Sequence, residues 1–176
     1  DHRVKVLFAA PTAFRAIRKT DPDGVLIKDY DLSSLATIFM AGERLDPPTL
    51  AWTEQHSQKP VIDHWWQTET GWAITGNPLG LERFPTKAGS SCKPMPGFNV
   101  EILDGEGRIC ASGVQGYIAL QLPLPPGCLT TIWRNQARFE AAYLKQFTGF
   151  YASGDGGYKD EDGYIFVMGR IDDVIN

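Results

Sequence analysis

At 176 residues, 43% hydrophobic and 22% charged, the chain has an ordinary globular composition, large enough to bury a sizeable core and without the bias of a disordered segment. A formal net charge of −4 and an isoelectric point near 5.3, with the basic residues dispersed, argue against nucleic acid as a partner. No apolar run approaches the roughly 20 residues of a membrane span, and no charged-then-apolar leader opens the sequence.

The chain opens on Asp1 and stops at Asn176 in mid-pattern, so it is expected to be a piece of a longer polypeptide. The missing leader therefore says nothing about location. Cys92, Cys110 and Cys128 recur at equal intervals of 18 without repeated flanking sequence or CxxC spacing. They read as buried or free thiols in a reducing compartment. His2, His56 and His64 share no ligand-like spacing, so a transition-metal site is not expected.

Taken in order, the first half alternates strand and helix. Val4 to Ala9 is a β-branched apolar run, followed by helical periodicity from Pro11, which suits a first turn, to Arg18. Thr37 to Met40 reads as a second buried strand leading into Ala41-Gly42-Glu43-Arg44. Asp46 caps a helix opened by Pro47 and Pro48 and running to about Gln58, and Val61 to Asp63 is the third strand. This β-α-β-α-β order predicts a parallel sheet.

Residues 77 to 98, rich in Pro and Gly, read as a connection. Beyond it the pattern is antiparallel. A hairpin turns over Asp104-Gly105-Glu106-Gly107, Gly116 to Leu122 alternates as a strand, and a helix spans roughly Asn135 to Lys145. A second hairpin then turns over Lys159 to Gly163.

Four stretches carry chemistry. Residues 63 to 71, Asp-His-Trp-Trp-Gln-Thr-Glu-Thr-Gly, leave the carboxyl edge of the predicted sheet, where open α/β sheets bind ligands. There the tryptophans can wall an apolar pocket, Thr68 can donate to a phosphate oxygen and Glu69 can hold a divalent cation. Interface packing for the tryptophans and a helix start for Thr-Glu remain the alternatives. Gly42 at a strand end lets backbone approach a flat ligand, though such a glycine also serves a plain turn. Asp155, among Ser153, Gly154, Gly156 and Gly157, can accept from vicinal hydroxyls as ribose requires, or close an Asx turn. Arg170, followed by Asp172 and Asp173, offers planar donors for phosphate or ribose oxygens, or belongs to a solvated charge cluster.

Together and in this order, AAPTAFRAI at 9–17, AGERL at 41–45, DHWWQTETG at 63–71, YASGDGGYKDEDGYIFVMGR at 151–170 and IDDVIN at 171–176 resemble the acyl-adenylate-forming superfamily. Within it they are most similar to the acetyl-CoA and propionyl-CoA synthetase branch. The resemblance implies an α/β layer over residues 1–85 and an antiparallel β-rich subdomain of distorted-barrel form over 86–170. Residues 171–176 would be a hinge to a further C-terminal domain. It implies a two-step ligase using ATP, magnesium and CoA, in which a carboxylate forms acyl-AMP and the CoA thiol then displaces AMP. Gly42, Glu43 and Arg44 would line one side of the adenine, with Asp63, His64 and Trp65 near its other edges. Thr68 would meet the α-phosphate, Glu69 the magnesium and Asp155 the ribose hydroxyls. Arg170 would assist at ribose and phosphate, and Asp172 matches the hinge aspartate. The location implied is bacterial cytoplasm or mitochondrial matrix.

Ala41 stands where the acetate enzymes carry valine, a position that matches the acyl-pocket wall. Room for about one more methylene, at ~0.8 kcal/mol per buried CH₂, makes propionate the first expectation, with acetate or butyrate next. Arg44 and His64, in place of proline and threonine, also resemble the propionyl-CoA branch, and Trp66 would still cap the slot. The family's upstream phosphate loop and downstream adenylation lysine have no counterpart here, so turnover is not expected from this chain alone. A degenerate adenylate-binding relative without chemistry is the alternative.

Overall fold

Strands β1 (Val6–Ala9), β2 (Thr37–Met40) and β3 (Val61–Asp63) lie side by side as a parallel sheet in that order, with Phe8, Phe39 and Ile62 in register across its middle. The computed structural model to which they belong describes residues 2–171. Parallel neighbours need long crossovers, and helices α1 (Pro11–Thr20) and α2 (Pro47–Ser57) supply them. Prolines occupy the first turn of each, where a backbone N–H has no intrahelical partner to lose. Asp46 caps α2 by accepting from the Thr49 N–H at 2.9 Å, and Gln58, at φ 54°, ends it in the left-handed region. Phe14, Leu50 and Trp52 of these helices close over Ile38, Met40 and Val61 as the first core. On β1, by contrast, Val6 and Phe8 share a face and are 54% and 55% exposed.

The second half is antiparallel, as the alternation predicts. β4 (Trp65–Trp66), β5 (Ala73–Gly76) and β6 (Lys93–Pro94) form a small sheet. β7 (Val100–Leu103), β8 (Gly116–Gln121), β9 (Phe150–Lys159) and β10 (Ile165–Arg170) form a larger one, ordered β10-β9-β8-β7. Helix α3 (Gln136–Tyr143), capped by Asn135 accepting from Arg138 N–H at 3.0 Å, packs against β9.

The expected distorted barrel is not formed: among the described residues both antiparallel sheets are open, with β7 and β10 as the outer strands of the larger. Closure requires enough tilted and staggered strands to wrap a filled interior. Four strands, beside a sheet whose outer strands are two residues long, do not provide them. The apolar faces are buried sheet against sheet instead, with Ile74 of β5 joining Val100, Ile102, Ile118, Leu120, Tyr151 and Ile165 in a single core.

One local expectation also changes. The 104–107 hairpin keeps its turn but its returning limb shrinks to one bridge, Leu103 to Ile109. Asp104 Oδ1 accepts from Glu106 N–H and Arg108 N–H, both at 2.9 Å, which stabilises the turn rather than a ladder. The stretch after Asp63 is a two-residue strand followed by a 3₁₀ turn, Thr68–Thr70.

Candidate functional site

The carboxyl ends of β2 and β3 open onto a cavity of about 490 Å³, closed on its far side by β9 and β10. Gly42, Glu43 and Arg44 line it from the end of β2, Asp63 to Glu69 from the end of β3, and Asp155 and Arg170 from the antiparallel sheet. Residues up to 128 positions apart in sequence thus meet around one space. Ala41 is buried, 3% exposed, behind Gly42 and is not in the lining; Asp172 lies outside the described residues. Trp66 is shared with a second cavity of about 440 Å³, lined mainly by apolar groups including Phe8, Phe39 and Trp72.

Local chemistry fixes the walls. Asp63 follows the buried pair Val61 and Ile62, and burial pushes its carboxyl up to about 7 against a smaller opposing effect of the His64 N–H. Burial likewise lowers the His64 imidazole, which sits edge-on to Phe8 and Phe39 at 5.5 and 5.6 Å. Its Nδ1 is buried with no hydrogen-bond partner among the described residues. On the opposite wall the Glu43 carboxylate turns away to the start of α1, accepting from Thr12 N–H at 2.8 Å and from the Thr12 hydroxyl and Arg15 guanidinium.

Asp155 is 7% exposed, and its Oδ2 accepts from Gln67 Nε2 at 2.7 Å and Trp65 Nε1 at 3.2 Å. The same Gln67 nitrogen donates to Ser153 O at 2.7 Å, and the Gln67 oxygen accepts from Tyr151 Oη at 3.2 Å. Arg170 follows a bulge between Val167 and Gly169, which re-aims the strand end, and donates to Ser153 O at 3.0 Å. Gly154, at φ 74°, makes room for it: a Cβ there would stand 2.5 Å from the guanidinium.

The Thr68–Thr70 turn is held from both ends. Gln67 N–H donates to Thr70 Oγ1 at 3.2 Å, and Gly71 ends the turn at φ 65° with the Gly127 carbonyl where its Cβ would be, 3.0 Å away. Leu129 N–H donates to Glu69 O at 2.6 Å, so the 122–135 loop braces the turn from behind. Thr68 is exposed and Glu69 partly buried, both on the lining.

No cluster of three metal-ligating side chains exists among the described residues. Magnesium that arrives with phosphate oxygens takes one or two carboxylates rather than a protein cage, and Glu69 is a carboxylate on the cavity lining that could hold it. Among the described residues, no helix is long and apolar enough to cross a membrane.

Three participants were not singled out by sequence reasoning. Gln67 and Tyr151 stood unremarked inside stretches read for their neighbours. Tyr143, at the end of α3, donates from Oη to Glu69 Oε1 at 3.0 Å and carries no local motif.

The model of the family described as AMP-binding enzyme matches residues 1–124. The chain is 53% identical over its whole length to an uncharacterized protein of Pseudomonas aeruginosa, covering 28% of that protein. It is 48% identical over its whole length to the human mitochondrial acyl-CoA synthetase short-chain family member 3, covering 26% of it. To the propionate–CoA ligase of Escherichia coli it is 44% identical over 99% of its length, covering 28% of that enzyme. The chain therefore spans about a quarter of the length of the curated relatives it matches.

Proposed function

The chain belongs to the AMP-binding enzyme family, and from that premise we propose that it supplies the nucleotide-binding wall of an AMP-forming short-chain acyl-CoA synthetase. A carboxylate oxygen of the acid bonds to the α-phosphorus of ATP and pyrophosphate leaves. The CoA sulfur then bonds to the acyl carbon, AMP leaves with the former carboxylate oxygen, and the thiol proton passes to solvent. Substrates provide both nucleophiles, so the protein's task is charge stabilisation and positioning.

In this reading Gly42, Glu43 and Arg44 lie along one side of the adenine, with Asp63, His64 and Trp65 at its edges. Asp155 accepts from the ribose hydroxyls, Thr68 donates to the α-phosphate and Arg170 serves ribose and phosphate. Magnesium, when bound, neutralises charge on the phosphates, and Glu69 holds it. The observation that carries the proposal is the convergence of all these residues on one cavity.

Substrate choice is a finer step. Trp66, which lines both the nucleotide-side cavity and the apolar one, is suited to end an acyl slot, with Ala41, buried next to Gly42, as the small residue that leaves room for propionate ahead of acetate or butyrate. We assign residues 1–85 and 86–170 to the α/β and β-rich parts of the AMP-binding domain, and 171–176, with Asp172, to a hinge.

The test uses the protein at its full natural length. Pyrophosphate exchange into ATP should require a short-chain acid, and CoA should convert the bound adenylate to thioester, with kcat/KM highest for propionate among acetate, propionate, butyrate and hexanoate. Asp155→Ala should weaken ATP binding in a folded protein. Absence of exchange with every acid would remove the activity, and a preference for hexanoate would remove the substrate choice.

A further inference from the structure

Glu69 does not stand alone at the cavity. Tyr143 Oη donates to its Oε1 at 3.0 Å, and among the described residues the carboxylate accepts no other hydrogen bond. The Tyr143 ring is set independently of that bond: it lies parallel to Tyr151, with centroids 5.1 Å apart and planes 5° from each other, and tilted against Phe139 at 5.6 Å. Tyr151 is completely buried in the sheet core, so the phenol of Tyr143 is presented to Glu69 from a rigid base. Tyr151 also donates to Gln67, which donates to Asp155. The stacked pair therefore touches one cavity carboxylate directly and the other through one amide.

We propose that Tyr143 is a positioning residue for Glu69, holding the carboxylate in the rotamer that receives the cation of a magnesium–nucleotide complex. The proposal rests on the nucleotide reading given above. A glutamate has three side-chain torsions, and one reaching into a solvent-filled cavity samples several rotamers. A donor fixed by packing selects one of them before the cation arrives. Partners of this kind behind a metal-binding carboxylate are commonly worth about 10- to 100-fold in metal affinity. Tyr143→Phe deletes a single oxygen and keeps the stack on Tyr151, so the fold should be retained.

In the protein at its full natural length, AMP affinity without magnesium and ATP affinity across a magnesium series are measured by calorimetry, without carboxylic acid so that no turnover intervenes. Tyr143→Phe should leave AMP affinity within about two-fold and raise the magnesium needed for half-saturation about 10-fold or more. Glu69→Gln should raise it further, and adding Tyr143→Phe to Glu69→Gln should change nothing more, because the tyrosine acts through that carboxylate. An unchanged magnesium requirement in Tyr143→Phe, or additive effects in the double variant, would overturn the positioning role. Parallel weakening of AMP and magnesium–ATP would overturn it in favour of a purely structural one. If the unsubstituted protein binds neither nucleotide, the nucleotide reading itself fails; if it binds ATP with a magnesium dependence that only Glu69→Gln moves, that reading survives and only the role of Tyr143 falls.

Discussion

Gln67 makes three hydrogen bonds from one amide, and its replacement should be felt on both sides of the cavity. In Gln67→Leu, Asp155 loses a 2.7 Å charge-assisted bond and the buried Tyr151 hydroxyl loses its 3.2 Å acceptor, while Ser153 O loses one donor and keeps Arg170. A hydrogen bond to a charged group contributes about 1.5–3 kcal/mol and a neutral one about 1, so the variant should be destabilised by roughly 2–4 kcal/mol. AMP binding should weaken by about ten-fold or more as the carboxylate loses its orientation. Gln67→Glu separates orientation from loss of packing. It sets a second carboxylate beside Asp155, and like charges at that distance cannot both ionise, so one proton must be shared. At pH 8 this variant should bind AMP poorly, and near pH 5 the shared proton should restore a large part of the affinity. Calorimetry with AMP on the full-length protein at the two pH values is the assay. If Gln67→Glu binds equally at both, or if Gln67→Leu matches the unsubstituted protein, the amide does not orient Asp155.

Gly71→Ala should destabilise the protein by about 2 kcal/mol, from the left-handed φ and the Gly127 carbonyl 3.0 Å from the new methyl, and should weaken magnesium–ATP binding. Gly105→Ala, with open space around its Cβ, is the control in urea unfolding, and equal effects of the two would refute the argument. Asp63, raised to about 7, retains a proton in the folded state that the unfolded chain has released, so between about pH 4 and 7 its ionisation lowers stability as pH rises, by up to ~1.4 kcal/mol per unit. Above pH 7 that slope disappears. Asp63→Asn should flatten the profile, and an unchanged slope in thermal denaturation would deny the burial effect. Trp66→Gly should shift kcat/KM from propionate toward longer acids, and Ala41→Val should disfavour propionate relative to acetate by about 1–3 kcal/mol; an unchanged ranking in both would end their assignment to the acyl slot.

The parallel layer was legible because its signals are local. Asp46 followed by Pro47 and Pro48 announces a helix start, Val61 and Ile62 a buried strand, and their alternation a parallel sheet. That the antiparallel sheets stay open, against the barrel expected, was not legible, since closure depends on pairing between distant edges, which no segment encodes by itself. Among site residues, Asp155 and Arg170 stood out by composition, but nothing local indicated that Ser153 O would receive both Arg170 and Gln67. Glu43 illustrates the converse: its place on the cavity followed from the turn after β2, whereas the direction of its carboxylate is set by Thr12 and Arg15, 31 and 28 positions away.

Tyr151 explains why the site is as ordered as it is. Its ring belongs to the core between the two antiparallel sheets, its stacking partner carries the donor to Glu69, and its hydroxyl orients the amide that holds Asp155. The packing that makes β9 a central strand therefore also sets the two carboxylates on which the proposed nucleotide and cation contacts depend. A close-packed interior transmits displacement, because it has few voids to absorb it. Geometry at the cavity is thus inherited from the apolar core rather than built by the loops that line it. Of the residues that read most strongly in sequence, Trp66 and Thr68 are the exposed end of that arrangement, and its foundation lies in a tyrosine with no exposed surface.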